Sequence, residues 1–187
     1  MLVKFLARTT ITGLLLSATL SPAPAAAQEA LVGADSSFIQ MAGSLGLLQV
    51  KLGEMAQEKG SSPAVREFGK RMVADYTKAN EELAAGAKAA AFPAPVMLRQ
   101  HKQILERFIR TGGSSFDKKY MAEMVSEHGD AVRLFRQESE GGRVASLKQL
   151  ASRMLPAVQQ QMALATETAG SVGADVTATT AGARQGS

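Results

Sequence analysis

The sequence contains no cysteine and no tryptophan, has only two histidines, and is 5% aromatic across 187 residues. Without cysteine there is no disulfide framework, no thiolate metal site and no thiol nucleophile. The same absence excludes a lipid anchor, which needs a cysteine at the signal-peptide cleavage point. Long β-branched runs are missing, and no apolar stretch approaches the roughly 20 residues needed to span a bilayer. Serine-nucleophile signatures, phosphate-cradling loops and zinc spacings are also missing. Gly112-Gly113 precedes a helix start but lacks the lysine and the strand of a P-loop. Nor is there an excess of one charge: Lys and Arg total 21 against 17 Asp and Glu. Because Lys4 and Arg8 lie in a leader, 19 basic residues face 17 acidic ones in the remainder. These alternate along the chain and do not gather on one face, so nucleic acid is not an expected partner.

What is present is a hydrophobic content of 45%, carried by Leu, Met, Ala and Val, a balance suited to helix packing. The N-terminus reads as a cleavable signal peptide over residues 1–27. Lys4 and Arg8 form its positive region, Ile11 to Leu20 its apolar core, and Ala25-Ala26-Ala27 a small-residue cleavage site before Gln28. Residues 28–34 read as a linker, 35–169 as one helical domain, and 170–187 as a disordered tail too poor in large apolar side chains to offset its ordering entropy. The expected location is periplasmic or secreted, with association to the cell envelope open and no stable membrane span after cleavage.

Four long amphipathic stripes fill the domain. The first helix is expected from Ser36 to Lys59, capped by Asp35, with Phe38, Met41, Leu45, Leu48, Leu52 and Met55 on one face. Ser62 and Pro63 open the second, which carries Val65, Phe68, Met72, Tyr76, Ala79 and Leu83. A shorter piece, Val96 to Arg110, reads as a crossover. The third long helix starts after Ser115 with Phe116, Tyr120, Met124, His128, Ala131 and Phe135. Leu147, Ala151, Met154, Val158, Gln161 and Ala165 mark the fourth, where Pro156 predicts a kink near Ser152 to Leu155. The fold class is therefore all-α: a ferritin-like four-helix bundle with a short crossover helix between helices 2 and 3.

Three of the stripes each carry one polar residue: Tyr76, His128 and Gln161. Buried polar groups cost about 1 to 3 kcal/mol apiece when unpaired, so these three are expected to form a structural or ligand-binding polar layer. His128 is the one core histidine that could hold a metal. Neither histidine follows a glutamate by three residues, as di-iron bundles require, so no cofactor is expected and no catalytic residue is assigned. Asp75 and Glu127 fall one residue off their stripes and are expected at the bundle's edge or in solvent. His101 is expected half-buried in the crossover. Met72-Val73-Ala74-Asp75-Tyr76 and Met124-Val125-Ser126-Glu127-His128 share a pattern, which two related helical hairpins would produce.

Leu52-Gly53-Glu54-Met55-Ala56, Val65 to Tyr76, Phe116-Asp117-Lys118-Lys119-Tyr120 with His128, and Leu155-Pro156 with Gln161 resemble the bacterial exported family known as domain of unknown function 4142. The resemblance covers roughly Asp35 to Ala169 and implies a ferritin-like bundle, in members often described as outer-membrane or exported proteins. It also implies histidine at the positions of Tyr76, His128 and Gln161, of which this chain keeps only His128. The expected function is that of an exported, non-enzymatic bundle with a binding or structural role in the cell envelope, its partner an envelope protein or a small ligand. The alternative is a metal-binding or oxidoreductase-like ferritin-fold protein with a degenerate site at His128.

Overall fold

A computed structural model describes residues 25–112 and 114–176. Among them are five helices and no strand: α1 (Ala25–Lys59), α2 (Pro63–Ala89), α3 (Arg99–Ile109), α4 (Ser114–Gly141) and α5 (Ala145–Ser171). The signal-peptide core and residues 177–187 of the expected tail lie outside the described residues. No described helix is long and apolar enough to cross a membrane.

The helices pair mainly as α1 with α2 and α4 with α5, the pairs meeting through α1–α4 and α2–α5, while α3 lies on α1. The α1–α2 approach is close because two glycines oppose each other. A Cβ on Gly53 would stand 2.7 Å from the Gly69 carbonyl oxygen, and one on Gly69 would stand 2.7 Å from the Gly53 carbonyl. Two apolar clusters fill the interior. One is built around Leu52, Phe68, Met72 and Tyr120, the other around Phe38, Leu83, Phe135 and Leu147.

Helix ends follow local chemistry, with two corrections. The Ser62 hydroxyl accepts from the Ala64 amide and Pro63 opens α2, as the sequence indicates. Asp35, however, is not a cap of its own helix. α1 already begins at Ala25 and runs through the segment 28–34 read as a linker, and Asp35 Oδ1 instead accepts from the backbone N–H of Arg143 and Val144 at 3.0 and 3.3 Å. The second correction is at the other terminus. α5 continues to Ser171, Gly173 adopts φ 62, and Val172, Ala174 and Val176 pack on the core. These residues were read as part of the tail. Pro156 lies inside α5, which continues through it.

Asp35 has a counterpart. Asp117 on α4 accepts from the Ser61 and Ser62 amides at 3.0 and 2.7 Å. Asp117 lies 82 positions after Asp35, as Arg143 does after Ser61 and Val144 after Ser62. Each pair of helices therefore caps the other's turn. The same offset matches Phe38 with Tyr120, Ile39 with Met121, Val65 with Leu147, Phe68 with Leu150 and Leu83 with Ala165, all buried. The structural repeat thus relates α1 to α4 and α2 to α5. The short likeness between Met72–Tyr76 and Met124–His128 relates α2 to α4 and is not that repeat.

Candidate functional site

Of the three polar stripe residues, the fold brings two together. Tyr76 on α2 and His128 on α4 meet edge to face with ring centroids 5.8 Å apart, and Phe68 closes on His128 at 6.3 Å. Tyr120 continues the aromatic contacts, 6.0 Å from Phe68 and stacked on Phe116 at 5.6 Å. Gln161 on α5 turns away, and its Nε2 donates to Asp75 Oδ2 at 3.2 Å. Asp75 also faces Arg71 at 3.7 Å, on a side chain that is 39% exposed. The three residues are thus split between a buried ring pair and a half-exposed polar contact.

His128 is fully buried. Its Nδ1 lies 2.8 Å from the Met124 carbonyl, which can only accept, so Nδ1 carries the proton. That leaves Nε2 with a bare lone pair, buried and without a partner, as are the Tyr76 and Tyr120 hydroxyls and both polar atoms of the Gln49 amide. Burial pulls the imidazole pKa down to about 4, against a smaller upward pull from the Met124 bond, so His128 is neutral at ordinary pH. Burial pushes both phenols up, with the Asp75 and Glu127 charges adding at Tyr76 and Tyr76 adding at Tyr120. A metal fits this pocket poorly, because the phenols stay protonated and a single nitrogen is the only ready donor. Among the described residues, no group of three or more His, Asp or Glu side chains is placed to hold a metal ion.

A second polar cluster was not legible as such. His101, expected half-buried, is 3% exposed. The backbone N–H of Leu98 donates to Ser44 Oγ at 2.7 Å, and Ser44 Oγ stands 2.5 Å from His101 Nδ1. The direction of the Ser44–His101 bond follows the tautomer of the ring, whose Nε2 lies 3.4 Å from Gln100 Nε2 and 3.8 Å from Glu127 Oε2. Glu127, expected in solvent or at the edge, keeps only 12% of its side chain exposed. Burial and the neighbouring Glu123 raise its pKa to about 7, with Arg107 opposing. Burial likewise lowers that of His101. The serine resembles a nucleophile only in its neighbours, since Ser44 is wholly buried. Its role is to satisfy the backbone N–H of Leu98, the N-cap residue of α3, whose own side chain makes no cap bond. The sequence signal was Gly43-Ser44-Leu45-Gly46, where small residues let Pro95 and Asn80 approach α1.

A groove of about 540 Å³ lies between α2 and α5. Leu83, Val158 and Leu164 supply apolar wall, Arg71, Lys78 and Arg153 supply positive charge against Asp75 and Glu82, and Tyr76 and Gln161 lie along it.

A family model described as a domain of unknown function, DUF4142, matches residues 20–168. The chain belongs to this family. No curated protein and no solved structure matches it. In this DUF4142 chain the match takes in α2 and α4 whole and α5 up to Thr168, and with them both polar clusters and the groove.

Proposed function

We propose that this chain is an exported, non-enzymatic binding protein of the cell envelope, whose α2–α5 groove receives a small amphipathic ligand. The observation that carries the reading is the groove itself, with an apolar wall, a rim where Arg71, Lys78 and Arg153 outnumber Asp75 and Glu82, and the Asp75–Gln161 contact at its side. Ligand sites are typically concave and mostly apolar, with a few placed polar groups. The leader, with Lys4, Arg8 and Ala25-Ala26-Ala27, supports export. A ferritin-like outline is supported by chain direction. Phe68 meets Tyr120 and Tyr76 meets His128, so residue numbers rise together on α2 and α4. Parallel helices in succession need a returning connection, and the segment holding α3 has the length for that crossover.

The test uses mature protein and an anionic amphiphilic dye, anilinonaphthalene sulfonate. Saturable one-to-one binding is expected, weakened about tenfold or more by Ala157→Trp, which fills the groove from an exposed position. Dye binding that is unsaturable, or indifferent to the tryptophan, overturns the groove reading. Recovery of the chain from the cytoplasm with its leader intact overturns export. The metal-binding alternative rests on the free Nε2 of His128. Stoichiometric metal in natively purified protein, lost in His128→Leu, would establish it.

A further inference from the structure

The two reciprocal caps differ in one respect. Around Asp117 the position 82 residues before Glu138 is Ala56, a buried methyl. Around Asp35 the equivalent position is Glu138 itself, 5% exposed and on the last turn of α4. Asp35 Oδ1 is occupied by the Arg143 and Val144 amides. Asp35 Oδ2 and Glu138 Oε1 are both buried with no donor, although the two carboxyls lie within hydrogen-bonding reach. Two acceptors cannot satisfy each other, and two buried carboxylates in contact repel. One proton resolves both problems.

We propose that a proton on Glu138, donated to Asp35, is a latch that pins the α4–α5 turn to α1, and that its loss loosens this end of the molecule alone. The facing groups can be named element by element. Asp35 faces the latch from α1, and Lys148 faces it from α5 and opposes protonation, while its Nζ is held by the Glu140 carbonyl. Arg143 offers its backbone N–H from the turn, and Gln137 lines the adjoining crevice from α4. Burial, the Asp35 hydrogen bond and the Asp35 charge raise the Glu138 pKa to about 7. A crevice of about 300 Å³ between α1 and α4, walled by Phe38, Met41 and Leu134, gives water a route to the pair. The Asp117 cap has no such partner and serves as an internal control.

The experiment is amide exchange by NMR on the folded protein between about pH 5.5 and pH 8.5, expressed as protection factors. Protection at Arg143 and Val144 is expected to fall about tenfold or more, the factor that one pKa unit carries, while Ser61 and Ser62 keep theirs. Glu138→Gln retains a donor that does not titrate and should abolish the fall. Glu138→Ala, which copies the Ala56 end, should do the same and covers the case in which the glutamine variant does not fold. Equal loss at both turns, or a loss that persists in either variant, overturns the latch. So does protection that changes with added sodium, calcium or chelator at fixed pH, which would make the pair a cation site.

Discussion

At the scale of single residues, the informative atoms are buried ones that have nothing to bond. The hydroxyls of Tyr76 and Tyr120 are each enclosed without a partner, so each carries a desolvation cost that its ring does not need. Removing such a group costs little or helps, whereas removing one member of a made bond typically costs about 1 to 3 kcal/mol. Tyr76→Phe and Tyr120→Phe are therefore expected to leave stability unchanged or raise it by up to about 1 kcal/mol, measured by urea denaturation. A loss above about 1 kcal/mol would mean that an internal water bonds the hydroxyl. Stripe position alone puts Tyr76, His128 and Gln161 in one layer, whereas the fold brings Tyr76 to His128 and Gln161 to Asp75. Periodicity places a Cα on a face but not the end of a long side chain, and the flexible Gln161 amide found Asp75 at the edge. Gln49 and Ser44 escaped notice for a related reason. α1 touches α2, α3 and α4, so it is buried nearly all round from Ala42 to Gln49, and a one-sided stripe underestimates its buried set.

At the scale of helices, the termini show how far capping rules reach. Ser62-Pro63 was readable because its cap is local. Asp35 carries the right side chain in a plausible place, yet it caps a turn more than a hundred residues away, and nothing in its neighbours reports that. The end of α2 holds a testable strain. Ala91 sits at φ 57, where its N–H bonds to the Lys88 carbonyl and the next N–H, from Phe92, bonds to Ala87. This is the left-handed closing residue that glycine usually occupies. Ala91→Gly is expected to stabilise the fold by up to about 1 kcal/mol, seen as a melting temperature higher by a few degrees. The opposite sign is expected at the α1–α2 contact. Gly69→Ala drives a methyl against the Gly53 carbonyl and the Ala56 side chain, so overpacking should cost about 1 to 3 kcal/mol. A melting temperature unchanged by Gly69→Ala would mean that the two helices can separate without penalty.

At the scale of the whole molecule, all-helical architecture and family were legible from the stripes and motifs, because periodicity survives however helices are arranged. The internal repeat was not legible. It is carried by spacing and burial class, with Asp35 and Asp117 among the few identical residues, whereas the visible likeness between Met72–Tyr76 and Met124–His128 links helices that only touch. The same scale sets the response to pH, where opposed groups share one window. Glu127 and Glu138 have folded pKa values raised to about 7, so the stability they contribute is present in acid and is lost as pH rises from the ordinary carboxyl range through about 7. His128 is depressed from 6.5 to about 4. The folded state keeps it neutral, and its contribution, present above pH 6.5, is lost as pH falls toward 4. His101 shifts in the same direction. The terms oppose each other between about pH 4 and 7, so each side masks part of the other's pH dependence. Disabling one side unmasks the other. His128→Leu should make stability decline as pH rises through that range, relative to wild type, by roughly 3 kcal/mol. Glu138→Gln should make it decline as pH falls. Denaturation midpoints taken across the window would check both, and two variants that shift in the same direction would show that the buried histidine and the buried carboxyls do not balance each other.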